Sequence, residues 1–201
     1  MTGKADNVMD IILNLLIFLI TVVLLVRFFR KDGKWDVGNG KKAFRYFTVL
    51  SNTFCAAAAL LVCIDPANGI FRMLKYTATV AVTVTMLTVF VFLMPVYKTF
   101  TGLLKGSDLF MHLLTPLMAA VSLCVYERHP ITPFAAAAGL IPVAVYGVWY
   151  LYNIAYAPEE KRWEDFYHFN TAGKWPVSFV LMLIGTSLIC AGYMFVMRMV
   201  I

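Results

Sequence analysis

In a chain of 201 residues with three histidines, four cysteines and eleven carboxylates, the side chains able to do chemistry are few. His112 is the one titratable side chain set clearly inside a long apolar run, about one turn beyond Asp108. A neutral imidazole is a general base near neutral pH, and a histidine so placed is equally a structural hydrogen-bond donor. A second polar group, Arg45, Thr48, Ser51 and Asn52 in RYFTVLSN, falls at i, i+3, i+6 and i+7 and so shares one helical face. Each has a plain structural reading, since Ser and Thr bond back to the i−4 carbonyl and Asn ties helices together. Thr48 and His112 nevertheless stand about four residues inside two spans that begin on the same side, which predicts one depth for both. A hydroxyl beside an imidazole is the smallest set for nucleophilic catalysis, the base taking a proton that the hydroxyl does not release unaided.

Other polar residues surround that level. Asn52 and Ser51 are candidate donors to an oxyanion, or packing residues that satisfy backbone carbonyls. Thr115, at i+3 from His112, faces the same pocket. Asp108, at i−4, either orients the imidazole as a triad acid does or caps the start of its helix. Arg45, Tyr97, Tyr152, Asn153, Asn170, Lys174 and Trp175 gather near the same interface as a candidate pocket mouth or headgroup site. Aromatic belts and basic loops account for them equally well. His129 and His168 fall in loops and read as solvated. The cysteines, Cys55, Cys63, Cys124 and Cys190, lie in apolar runs without metal-type spacing, although a Cys63–Cys124 bridge is sterically open. No metal or cofactor motif is present, and Gly33–Gly40 lacks the GxxxxGK[ST] order of a phosphate-cradling loop.

The elements that hold these residues follow from composition. Hydrophobic residues make up 61% and charged residues 14%, and mean hydropathy is +0.78. A soluble domain is about 45–50% apolar and about 25% charged, so a water-soluble enzyme, a disordered chain and a nucleic-acid-binding domain are excluded. Uncharged runs extend over Ile11–Val26, Tyr46–Ile64, Tyr76–Tyr97, Leu109–Tyr126, His129–Pro158 and Trp175–Met197. A bilayer core needs roughly 20 apolar residues per helix, which predicts an all-α polytopic membrane protein. It is a single bundle of six transmembrane helices over residues 1–201, with spans near 9–29, 45–64, 73–97, 108–126, 133–153 and 175–198. Runs such as LLIFLITVVLLV lack the alternation of barrel strands. Arg27-Phe28-Phe29-Arg30 is no signal-peptide cleavage site, so the first span is expected to be retained. No Asp or Glu falls clearly inside a span, which argues against proton relays and carboxylate metal sites. The loop APEEKRWEDFYHFNTAGK mixes charge with aromatics and suits the headgroup zone, as a possible lid.

Orientation follows from Lys and Arg. Twelve of the 17 lie in the loops between spans 1 and 2, 3 and 4, and 5 and 6, and five lie at the other side. Both termini are therefore expected outside a bacterial cell membrane, with the three longer loops cytoplasmic.

The Tyr46, Phe47, Thr48 and Asn52 pattern at the start of the second span is joined by His112 with Pro116 in the fourth. Gly173, Trp175, Pro176 and Phe179 open the sixth. Together these motifs resemble the androgen-induced-gene family, and the overall pattern is closest to its prokaryotic relatives. The resemblance spans most of the chain. It implies a six-helix integral membrane hydrolase of fatty-acyl esters, such as fatty acid esters of hydroxy fatty acids, with Thr48 as nucleophile, His112 as base and no cofactor. The His112–Pro116 spacing and the loop lengths depart from animal members, which leaves the lipid substrate open. The expected partner is a membrane lipid or fatty-acyl ester, and no nucleic acid. Two alternatives stand beside this reading: a non-catalytic lipid-binding or small-molecule transport protein, and an acyltransferase using the same pair. The missing internal repeat and midplane polar site argue against a carrier.

Overall fold

A computed structural model describes residues 2–99 and 101–200, with side chains described from residue 7 onward. The side chain of Lys4, one of the five minority basic residues, lies outside the described residues. Six helices are long and apolar enough to cross a membrane. They are α1 (Thr2–Phe28), α3 (Phe47–Ile64), α4 (Gly69–Val96), α5 (Ser107–Glu127), α6 (Pro133–Tyr156) and α7 (Trp175–Val200). A short helix, α2 (Val37–Ala43), follows a hairpin of β1 (Arg30–Lys31) and β2 (Lys34–Trp35). The chain is an all-α bundle.

Local chemistry sets the elements that lead to the site. Asp32 (φ 51°) and Gly33 (φ 76°) supply the two positive φ angles that a tight hairpin turn requires. Asp36 then caps α2 by accepting the Asn39 N–H at 2.9 Å. Tyr46 is extended (φ −92°, ψ 134°) and is the N-cap of α3. Arg45 therefore precedes the helix and does not continue the face carrying Thr48, contrary to what the i, i+3 spacing predicted.

Helix α4 runs through the middle of the bundle, buried at every position from Lys75 to Thr85. Three of its hydroxyls are satisfied within the helix: Thr79, Thr83 and Thr85 donate to the carbonyls of Lys75, Thr79 and Ala81. On one side, Ile17, Cys55, Ala58, Ala59, Ala78, Val82 and Ala119 join α1, α3, α4 and α5. Small residues here let backbones approach closely, which gains packing where no hydrophobic drive between helices exists. On the other side α6 and α7 close over α4 through Tyr76, Val80, Val143, Tyr146, Cys190 and Met197. All four cysteines are free thiols, so Cys63 and Cys124 form no bridge.

One expectation is overturned. His112 is not the only titratable side chain inside the bundle, because Lys75 and Glu127 are 0% and 7% exposed. The Lys75 ammonium pairs with Glu127 Oε1 at 3.1 Å and donates to Ser122 Oγ at 3.0 Å and to Asn14 Oδ1. Asn14 Nδ2 and Ser122 Oγ also contact the Asp10 carboxylate, at 3.1 and 2.7 Å. In sequence each of these charges lies near the end of a span and reads as a headgroup residue. In the bundle α1, α4 and α5 converge there, so that Lys75 and Glu127 compensate one another out of water with half-buried Asp10 at the edge.

Candidate functional site

Thr48 lies in the first turn of α3, with Oγ1 at 3.5 Å from His112 Nε2. The imidazole is fixed from behind by the Leu103 carbonyl, 2.8 Å from Nδ1. A carbonyl only accepts, so in the neutral imidazole Nδ1 is the nitrogen that carries the proton and Nε2 the one whose lone pair faces the hydroxyl. Leu103 belongs to a 3₁₀ turn, Gly102–Leu104, in the connection between α4 and α5. That connection turns into α5 at Gly106 (φ 57°, ψ −123°), a conformation that a side chain would strain. Asp108 sits in the first turn of α5, where its charge suits the helix dipole. The Leu103 carbonyl stands where a triad acid would, so Asp108 is not the group that orients Nδ1. A 3.5 Å contact is long for a hydrogen bond, yet catalytic contacts commonly tighten only when substrate is bound.

Why the two helices meet in this register is a matter of one missing proton. Residues Phe110–Leu114 are wound as a π-helix, in which the Thr115 N–H reaches the Phe110 carbonyl. The next donor in that register would serve the Met111 carbonyl, but it belongs to Pro116, which has no N–H. Asn52 fills the vacancy, its Nδ2 donating to Met111 O at 3.0 Å and to Thr48 O at 2.8 Å. One amide thus ties the backbone of the hydroxyl residue to the backbone next to the imidazole. With both hydrogens spent on carbonyls, Asn52 has none left for the oxyanion role of the sequence reading and instead ties α3 to α5. Ser51 is likewise committed, to Thr85 Oγ1 at 2.8 Å and to the Thr48 carbonyl at 3.2 Å. Thr115 is fully buried, and its hydroxyl and Asn52 Oδ1 have no partner among the described residues.

Thr48 opens into a cavity of about 510 Å³ between α3, α4, α6 and α7. Its wall is largely apolar, with Phe47, Val89, Val143, Met182 and Ile189 among the lining residues. The volume lies within the range of about 300–1,000 Å³ that small-molecule sites occupy. The α7 lining runs from Ser178 to Ile189, so the cavity extends about 16 Å along the helix axis. Lining residues Leu87, Val91 and Leu181 are 40%, 72% and 63% exposed, which places a lateral rim of the cavity on the outer surface of α4 and α7.

The connection from α6 to α7 folds back over the same cavity. Asp165 accepts the N–H groups of Phe169 and Asn170 at 2.9 and 2.8 Å and the Tyr150 hydroxyl at 3.2 Å. The Tyr167 N–H is held by Tyr150 Oη at 3.2 Å. Tyr167, His168 and Phe169 thereby line the cavity, and Tyr167 Oη accepts the Phe47 N–H at 3.2 Å. Burial pushes the Tyr167 phenol up to about 12. Tyr146, Tyr150, Asp165 and Tyr167 were missed from sequence because interfacial aromatics look alike until the loop is seen to return.

The polar residues expected at a mouth are placed elsewhere. The Arg45 guanidinium lies 5.3 Å over the Trp163 ring. Tyr97 donates to Phe166 O at 2.9 Å and Asn153 to Trp149 O at 2.8 Å. Tyr152 and Lys174 are exposed, and Trp175 packs against the core. Asn170 is held through its backbone N–H, with Oδ1 buried and unpartnered. None of these seven lines the cavity beside Thr48. His168 is exposed, whereas His129 is half-buried. Among the described residues no group of three or more His, Cys, Asp or Glu side chains is placed to share a metal ion. Comparisons of the chain with family models, curated proteins and solved structures found no match.

Proposed function

We propose that the protein is an integral membrane hydrolase of fatty-acyl esters, working through an acyl-threonine on Thr48 with His112 as base. The observation that carries this reading is the Thr48–His112 contact of 3.5 Å at the head of an apolar cavity, with the imidazole lone pair directed at the hydroxyl by the Leu103 carbonyl. An acyl chain entering sideways past Leu87, Val91 and Leu181 lies in the cavity with its ester carbonyl at Thr48. His112 Nε2 takes the hydroxyl proton as Oγ1 bonds to the carbonyl carbon. The tetrahedral adduct collapses, the carbon–alkoxy bond breaks, and His112 returns the proton to the leaving alcohol. Water then repeats the sequence on the acyl-threonine, releasing the fatty acid and restoring both side chains. The motifs shared with the androgen-induced-gene family favour the same chemistry.

Orientation belongs to the same proposal: both termini outside a bacterial cell membrane, with the connections that build the site cytoplasmic. Removing Lys75 from the minority count, since it is buried in an ion pair, leaves twelve basic residues against four.

The test is hydrolysis of a long-chain p-nitrophenyl ester by purified protein in detergent. Thr48→Ala and His112→Ala are each expected to lower the rate at least about 1,000-fold, with thermal stability close to wild type. Full activity in Thr48→Ala would exclude the acyl-threonine. Retained binding of the ester without turnover in the wild type would favour a lipid-binding protein.

A further inference from the structure

The hydroxyl and the base leave one requirement of the proposed reaction unmet. A tetrahedral adduct at Thr48 places a negative charge on the former carbonyl oxygen, inside a largely apolar cavity, and hydrogen-bond donors aimed at that point lower the barrier most. Asn52 and Ser51 are excluded, because both Asn52 hydrogens go to the Met111 and Thr48 carbonyls and the Ser51 hydroxyl is held between the Thr48 carbonyl and Thr85 Oγ1. His112 faces Thr48 with a lone pair and cannot donate from Nε2 before it has taken the proton.

We propose that the Tyr167 hydroxyl and the backbone N–H of Thr48 form the oxyanion hole of this site; the inference rests on the hydrolase reading above. Thr48 and Tyr167 line the same cavity, and the hydroxyls of Thr48 and Tyr146 both bear on the Tyr167 phenol. Phe47, the residue before Thr48, donates its N–H to Tyr167 Oη at 3.2 Å, which fixes the phenol over the first turn of α3. Among the described residues the phenolic proton goes to no carbonyl or carboxylate and has only the Thr48 and Tyr146 hydroxyls beside it, whereas Tyr146 spends its own proton on the Arg45 carbonyl at 2.8 Å. A phenol whose oxygen already accepts is a better donor, because hydrogen bonds in a chain polarise one another. A phenol is protonated at neutral pH in any case, and burial raises this one further, to about 12, so it remains a donor into the alkaline range.

The second donor follows from helix geometry. The first N–H groups of a helix have no partner within it. In α3, Val49 and Leu50 both donate to the Tyr46 carbonyl, Phe47 donates to Tyr167, and the Thr48 N–H is left without an acceptor among the described residues. It points along a helix whose dipole favours negative charge at this end. Tyr167 is brought to this point by the fold-back of its loop, which Asp165 and Tyr150 pin through four hydrogen bonds.

The alternative role for Tyr167 is that of a cap on α3, and the two differ in what they move. In Tyr167→Phe, kcat for a long-chain p-nitrophenyl ester is expected to fall about 100- to 1,000-fold with KM near wild type. A cap alone would lower the unfolding temperature and leave kcat within about threefold, which would overturn the inference. Thr48→Ala is run beside it: a dead Thr48→Ala with an active Tyr167→Phe sinks the oxyanion hole and spares the hydrolase, whereas an active Thr48→Ala sinks both. Should Tyr167→Phe not fold, a fluorinated tyrosine at 167 keeps size and shape while making the phenol more acidic. The alkaline limb of the rate profile is then expected to move to lower pH, and an unmoved limb would overturn the inference.

Discussion

Two polar clusters sit toward opposite ends of the bundle, and α5 contributes to both. His112 and Ser122 are ten residues apart on that helix, about 15 Å along its axis. At the Ser122 end, three acceptors surround the Lys75 ammonium, and Asp10, Asn14, Ser122 and Glu127 bond mainly to one another. At the His112 end, groups face open space. The Nε2 lone pair meets a hydroxyl at 3.5 Å, the hydroxyl opens on a cavity, the Thr48 N–H has no acceptor among the described residues, and the Tyr167 phenol has only hydroxyls beside it. The cluster with more charge is the more fully paired one and none of its residues lines the cavity, although Glu127 Oε2 is left without a partner among the described residues. In a membrane bundle, then, buried charge alone does not mark a reactive site; unspent hydrogen-bonding capacity beside a cavity is the better sign, because a saturated group has nothing left to offer a substrate.

Mutations should separate the two ends. Lys75→Met leaves the buried Glu127 without its counter-charge, and is expected to cost about 3–5 kcal/mol, read by thermal or denaturant unfolding in detergent. Ester hydrolysis per folded molecule should stay within about twofold of wild type, since the sites are distant and share no partner. Loss of activity at unchanged stability would break the comparison and draw the Lys75 cluster into the function. Asn52→Leu tests the tie at the other end. It strips the Met111 carbonyl of its donor, so a loss of about 1–3 kcal/mol is expected. The Thr48–His112 register loosens with it, and kcat should fall about 10- to 100-fold. An unchanged kcat would mean that α3 and α5 hold their register without the amide. The smallest effect is expected at Gly185, which lines the cavity and where an added Cβ meets nothing within 4 Å. Gly185→Leu should shorten the preferred acyl chain, at about 0.8 kcal/mol or roughly fourfold per methylene excluded. A chain-length profile identical to wild type would place the acyl chain elsewhere.

How much of this was legible beforehand follows the same divide. The six helices could be read from uncharged runs, because hydrocarbon forbids unpaired charge along a span. Thr48 and His112 could be matched in depth, because helices that begin on one side share a scale of 1.5 Å per residue. Whether α3 and α5 touch was not readable, since that depends on Asn52 meeting a carbonyl that Pro116 leaves free. The Asp10, Lys75 and Glu127 cluster was hidden because span ends look the same whether a charge faces headgroups or a neighbouring helix. Tyr167 was hidden for a different reason: its position rests on Asp165 gathering backbone N–H groups of its own loop, and nothing in the spacing of loop aromatics distinguishes one that folds inward from Tyr97 or Tyr152, which do not line the cavity.

The central claim is that Thr48 carries the acyl group. Wild-type protein mixed with a long-chain p-nitrophenyl ester and quenched in acid within the first turnover should gain the mass of one acyl chain, located by fragmentation on Thr48 and lost on longer incubation. An acyl group found on another residue, or a turnover burst with no adduct on Thr48, would contradict it.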